Sequence, residues 1–270
     1  MTAQPGPRPP LDEARIAAGE RPGLTVEVVA EAPSTNALVS ERARQGAPDG
    51  LVVVAEHQTA GRGRLDRTWE TPAGATLTFS MLLRPTVPTQ SWPWLPLLTG
   101  YAAAHALTAR GYAAGVKWPN DVLIGERKVA GILVERVDTP DGPAAVVGVG
   151  LNTGMTAEEL PVPTATSLSL ESGPAEPPDR TEVLLDLLAA ILDAYDAWQA
   201  GGDQAAQRLA ESYASACVTV GRQVRVDLPD GSVLEGRAVS VDASGRLVVE
   251  AADGRREIGA GDVVHVRSVA

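Results

Sequence analysis

From Val218 onward the chain carries four tight turn signals, Pro229-Asp230-Gly231, Asp242-Ala243-Ser244-Gly245, Asp253-Gly254 and Gly259-Ala260-Gly261-Asp262. Turns this closely spaced leave no room for helices. They imply five short antiparallel strands, the pattern of a small closed β-barrel. Upstream the texture differs. Leu24–Ala30 alternates like a strand, and Ser34 or Thr35 can cap a helix over 36–45 that ends at Gly46. Leu51–Glu56 is a continuous apolar run that reads as a buried strand. Ala75–Leu83 sets Leu77, Phe79 and Met81 against Thr76, Thr78 and Ser80, the alternation of a half-buried strand. Residues 92–110 read as helix, and strands follow near 114–117, 121–125, 128–137 and 144–151. The Pro-rich stretch 161–179 reads as loop. Thr181 is placed to cap a helix with Leu184, Leu188, Ile191, Tyr195 and Trp198 on one face, and a second helix spans 203–215. A short helix is also expected over 11–19. The expected organisation is therefore a flexible N-terminal segment (1–20), an α/β body with a mixed sheet and flanking helices (21–216), and the β appendix (217–270).

Composition narrows the function classes. A net charge of −11 argues against duplex DNA as the main partner, because that task wants a basic footprint. The single cysteine, Cys217, forbids an intrachain disulfide and a Cys-based metal site. The N-terminal residues lack an apolar signal core, and no apolar run is long enough for a membrane span, so a cytoplasmic home without membrane association is expected. No P-loop pattern occurs. Gly148-Val-Gly150-Leu-Asn-Thr-Gly154 misses the dinucleotide-binding spacing and opens no helix. His57, His105 and His265 are scattered without metal spacing, and neither Ser80 nor Ser91 has the glycines of a nucleophile elbow.

Against that background the cations are informative. The chain has two lysines, Lys117 and Lys128, and its three asparagines fall at Asn36, Asn120 and Asn152. GC-rich coding accounts for the scarcity, since both residues have A-rich codons. A lysine that survives such a bias marks a place where a compact ammonium is not interchangeable with a planar guanidinium. Gln58-Thr-Ala-Gly-Arg-Gly-Arg-Leu-Asp-Arg-Thr-Trp69 sets Arg62, Arg64 and Arg67 among glycines that let the backbone approach a ligand. Three arginines in a hairpin are commonly just a solvated face. Gln58, Trp69 and the paired Gly-Arg repeat turn the balance toward an anion-binding loop, because arginine forks match phosphate and carboxylate oxygens.

Together, Gly61-Arg-Gly-Arg-Leu-Asp-Arg-Thr-Trp69, Lys117-Trp-Pro-Asn-Asp121, Arg127-Lys-Val-Ala-Gly-Ile-Leu-Val-Glu135 and Gly148-Val-Gly-Leu-Asn152 resemble the biotin protein ligases, in the family's order and spacing. The resemblance runs from about Ser34 to the C-terminus. It implies a catalytic fold like that of class II synthetases with an SH3-like barrel behind it. It also implies that ATP activates biotin to biotinyl-5'-AMP and that the biotinyl group passes to a lysine of a biotin carboxyl carrier. Carried over position by position, Ser34, Thr35, Asn36 and Gln58 match the segment that holds the biotin rings, with Gly131 nearby. Arg62, Gly63 and Arg64 match the biotin-binding loop, and Lys128 matches the lysine between carboxylate and α-phosphate. Arg67, Trp69, Lys117, Asn120 and Asn152 fall on the nucleotide side. Asp121 is a candidate to take the acceptor lysine's proton. MgATP is the expected co-substrate, while the residues that hold Mg²⁺ and the oligomeric state stay open. Too few residues precede Ser34 for the winged helix-turn-helix of some members, so the ligase-only form is expected. The nearest competing reading, a lipoate-attaching enzyme, has different motifs at these places.

Overall fold

The computed structural model describes residues 8–19, 21–69, 71–172 and 178–266. In chain order the elements of the body are α1 (Glu13–Ala18), β1 (Thr25–Ala32), α2 (Thr35–Arg44), β2 (Leu51–Gln58), β3 (Thr76–Leu83), α3 (Trp94–Ala109), β4 (Ala114–Lys117), β5 (Asp121–Ile124), β6 (Arg127–Thr139), β7 (Gly142–Asn152), α4 (Leu168–Glu171), α5 (Arg180–Ala200) and α6 (Gly202–Ala216). The strands form one mixed seven-stranded sheet in the order β1-β2-β3-β7-β6-β5-β4. β1 and β2 run parallel and the other neighbours antiparallel.

β3 departs from its expected half-burial, since all eight of its residues are buried. Leu77, Phe79 and Met81 join the main core beneath α3 and α5, while Leu82 packs with Val39 and Ala43 of α2 in a second cluster. The alternation is present, but the polar side of the strand is covered by neighbouring elements rather than by bulk water, and only Thr78 of it lines the cleft described below. Thr78 spends its hydroxyl on the carbonyl of Ala55, at 3.1 Å, and Ser80 joins the network described below.

Ser34 caps α2, its hydroxyl accepting from the Ala37 amide at 3.5 Å. Thr181 does not cap α5. Asp179 does, accepting from the amides of Thr181 (2.8 Å) and Glu182 (3.2 Å). The Thr181 hydroxyl instead accepts from the Asp12 amide at 3.0 Å, because the N-terminal segment packs there. Residues 1–7 and 20 of the segment expected to be flexible lie outside the described residues. In residues 8–19, Leu11 and Ile16 are buried, Arg8 pairs with Glu159, and the Leu11 amide donates to Glu56 at 2.6 Å. Glu56 also pairs with the buried Arg180 at 2.6 Å, which makes the segment part of a polar clasp on α5.

The stretch 161–179, read as loop, contains the short helix α4. Ahead of it, Lys128 N donates to Thr164 O and Thr166 N donates to Lys128 O, both at 2.8 Å, so a strap lies along β6. Beyond α6 come β8 (Gln223–Asp227), β9 (Val233–Val241), β10 (Leu247–Ala251), β11 (Gly254–Ile258) and β12 (Asp262–His265), the five antiparallel strands the turns predicted. They pair in the order β11-β10-β9-β8-β12 as a sheet running from one edge strand to the other. Its 242–245 turn caps the body. Trp94 Nε1 donates to Ala243 O at 2.7 Å and Trp118 Nε1 to Gly245 O at 3.0 Å, and both indoles are buried. Among the described residues no helix is long and apolar enough to cross a membrane.

Candidate active site

One cleft of about 1170 Å³ takes in every candidate biotin, nucleotide and catalytic residue named from the sequence. The N-terminus of α2, the ends of β2 and β4, the faces of β3, β6 and β7, and the 61–69 loop all open onto it. Both lysines of the chain and all three asparagines line it. Its wall also includes Gly221, Arg222, Gln223 and the β12 residues Val263, Val264 and His265. Nothing local in the sequence marked these; they arrive only when the C-terminal sheet docks.

The buried end is neutral and polar. Ser34, Thr35, Asn36 and Gln58 are each less than a tenth exposed. Thr35 presents its amide to Gln58 Oε1 at 2.8 Å and its hydroxyl at 3.1 Å. Ser80 Oγ lies 2.7 Å from Thr35 Oγ1 and 2.6 Å from Asn36 Oδ1. Asn36 Nδ2 donates to Leu133 O at 3.2 Å and to Glu135 Oε2 at 2.8 Å. Gly148 must be glycine here, because a methyl group would collide with the Asn36 amide. Ser80 and Glu135 were not predicted as site residues. The signal for Ser80 was the polar half of the β3 alternation.

Cations occupy the more exposed part. Lys128 Nζ pairs with Asp121 Oδ1 at 2.6 Å and sits 5.4 Å from the centroid of the Trp69 ring. The indole lies so close to β7 that a Cβ on Gly150 would come within 2.7 Å of it, and its Nε1 is buried without a hydrogen-bond partner. Arg62 pairs with Glu135 at 3.0 Å. Arg64 donates to Asn120 Oδ1 at 3.1 Å and to Gly261 O at 3.3 Å, and Arg67 pairs with Asp262. The predicted loop is thus tied to both the body and the C-terminal sheet. Burial lowers the proton affinity of the Arg64 guanidinium, opposed by Asp262 and Asp121. Asn120 is held by its own Nδ2 donating to Ile132 O at 2.8 Å, and the Trp118-Pro119 bond ahead of it is cis. Lys117 faces Asp121 across the β4–β5 register. Asn152, expected on the nucleotide side, donates Nδ2 to Thr166 O at 2.9 Å and so anchors the strap over β6. Among the described residues no group of three or more His, Cys, Asp or Glu side chains is arranged to hold a metal.

Known proteins share this arrangement. Residues 28–152 match the model of the biotin/lipoate A/B protein ligase family, and residues 219–266 match the biotin protein ligase C-terminal domain. The biotin--[acetyl-CoA-carboxylase] ligase of Mycobacterium tuberculosis is 41% identical over 278 residues, spanning 99% of this chain and 100% of that one. The chain belongs to the biotin protein ligases. Two further relatives agree. The bifunctional ligase/repressor BirA of Bacillus subtilis is 34% identical over 85% of this chain and 70% of its own length. The Aquifex aeolicus biotin protein ligase, solved in complex with biotin and ATP, superposes with a TM-score of 0.75 at 28% identity, covering 90% of this chain and 99% of that one. As a biotin protein ligase, the chain carries the four motifs on the two layers that enclose the cleft, the mixed sheet and the 61–69 loop.

Proposed function

We propose that the chain joins biotin to ATP, releasing pyrophosphate, and passes the biotinyl group from biotinyl-5'-AMP to a lysine of a biotin carboxyl carrier such as that of acetyl-CoA carboxylase. The observation that carries the reading is the order of burial in the cleft. Neutral donors and acceptors are buried, and the arginines and lysines are more exposed. That gradient suits a ligand with a neutral ring system at one end and an anion at the other.

In this reading Ser34, Thr35, Asn36 and Gln58 hold the ureido ring, with Gly63 and Gly131 leaving room for the ligand. The first step brings a carboxylate oxygen to the α-phosphorus while pyrophosphate departs, so charge accumulates where two anions already repel. Lys128, Arg62, Arg64 and Lys117 supply the fixed positive charge that such a step needs. Arg67, Trp69, Asn120 and Asn152 serve the nucleotide. Mg²⁺ enters with ATP as part of the substrate. In the second step the acceptor amine attacks the acyl carbonyl, AMP leaves with the phosphate oxygen, and the amine loses a proton. Asp121 lies within the cleft to receive it, with Lys128 at 2.6 Å as its partner. No side chain has to serve as a nucleophile.

The division into segments 1–20, 21–216 and 217–270, the closure of the C-terminal sheet into an SH3-like barrel, a cytoplasmic location and the absence of a DNA partner belong to the same proposal. The test is incubation of the full chain with MgATP, a carrier domain and either biotin or lipoate. Streptavidin-detectable carrier and pyrophosphate release with biotin alone are expected. Modification by lipoate in preference to biotin would overturn the reading.

A further inference from the structure

Glu135 lies on β6 beside the cleft, and one of its oxygens, Oε2, takes two donors of different origin. Asn36 Nδ2 reaches it from the buried end at 2.8 Å, and Arg62 Nη2 reaches it from the glycine-rich loop at 3.0 Å. The proton inventory then runs one way. An ionised carboxylate only accepts, so Asn36 must present its amino group to Glu135 and its oxygen to Ser80, 2.6 Å away. Ser80 has one proton, which goes to that oxygen. Thr35 Oγ1 lies 2.7 Å from Ser80 Oγ and 3.1 Å from Gln58 Oε1, so its single proton serves only one of the two. Asn36 Nδ2 also donates to Leu133 O at 3.2 Å, so that carbonyl and Glu135 together fix the amide's orientation, and Glu135 links it to Arg62.

We propose that Glu135 is a positioning residue that couples the Asn36 end of the buried hydrogen-bond chain to Arg62 through a single carboxylate oxygen. This rests on the reading that the buried end holds the biotin ring. Residues in one polar network change together rather than independently. A neutral isostere at 135 keeps the shape but loosens the hold on the Asn36 amide, leaving Leu133 O to orient it, and removes the charge that anchors Arg62. Binding should change on the biotin side and not for ATP, because Arg67, Trp69, Asn120 and Asn152 do not bond to this oxygen, while the phosphoryl step to which Arg62 lends charge should also slow.

The experiment measures biotin affinity by titration, and separate KM values for biotin and ATP by pyrophosphate release, in the full chain. Its variants are Glu135→Gln, Arg62→Ala and the double variant. Glu135→Gln should weaken biotin binding and raise the biotin KM roughly tenfold or more, the scale of losing a hydrogen bond to a charged group. The ATP KM and melting temperature should stay near wild type. In the double variant the two effects on biotin affinity should fall short of additive. Ser80→Ala, which breaks the chain in its middle, should reproduce the rise in biotin KM. An unchanged biotin KM, strictly additive variants, or parallel rises in both KM values with a fall in melting temperature would overturn the proposal. Wild-type chain that releases no pyrophosphate with biotin would overturn the function itself. Wild-type turnover with an unaffected Glu135→Gln variant would overturn only this coupling.

Discussion

Lys128 concentrates several roles in one side chain. Its ammonium meets Asp121 at 2.6 Å and the Trp69 ring at 5.4 Å, while its backbone amide and carbonyl both bond to the 164–166 strap. Truncating it to Ala should slow pyrophosphate release by about 100-fold or more, the scale of losing one charge partner in the transition state. A near-normal burst in a quenched-flow assay would remove Lys128 from that role. Arg64 predicts a different phenotype, because it joins the loop to Asn120 and Gly261. Arg64→Ala should bind biotin more weakly and shed its adenylate. Free biotinyl-AMP in the filtrate is the expected sign, and tight retention would contradict it. At this scale the sequence was informative wherever a residue's role is written in its neighbours along the chain, as in the Gly-Arg and Lys-Trp-Pro-Asn-Asp segments. Ser80 and Glu135 had no such neighbours. Ser80 sits in an ordinary strand alternation and Glu135 at the end of a motif, and their importance comes from Asn36, which lies 44 and 99 positions away.

Among the elements, β3 and β12 are the most instructive. The alternation along β3 predicted a strand with one polar face, and the strand is there. Period alone cannot tell a face turned to water from one covered by neighbouring elements, since both accept small polar side chains. β12 carries His265, whose pKa is pushed down to about 4, chiefly by burial and then by the charges of Lys117 and Arg222. Its Nε2 lies 3.0 Å from the Thr219 hydroxyl. In the unfolded chain the imidazole takes a proton below about pH 6.5, whereas in the fold it stays neutral until near pH 4. Over that window the unfolded state binds more protons, so stability falls as the pH drops from about 6.5 toward 4. His265→Gln should flatten this part of a profile of melting temperature against pH. An unchanged slope would show that His265 does not contribute to it.

For the whole molecule, the change from mixed helices and strands to five short strands was legible in turn density alone. The way the two parts meet was not. Arg67 and Asp262 are 195 positions apart, and no local pattern records that partnership. The contact matters because the 242–245 turn covers Trp94 and Trp118 while β12 walls the cleft. Ending the chain after Ala216 should therefore expose both indoles, shift tryptophan emission to the red, lower the denaturant midpoint and abolish pyrophosphate release. A truncated chain with native emission and turnover would show that the C-terminal sheet is dispensable.

The placement of the two lysines has a chemical consequence of its own. An acyl-adenylate that drifts out of an enzyme labels whatever amines it meets, and on most proteins the nearest are surface lysines. Here every lysine side chain lies within the cleft that makes the reagent, and Lys128 is held by Asp121. A leaking variant of this chain would mark the lysines of bystander proteins, since it carries no lysine outside that cleft to compete for the reagent.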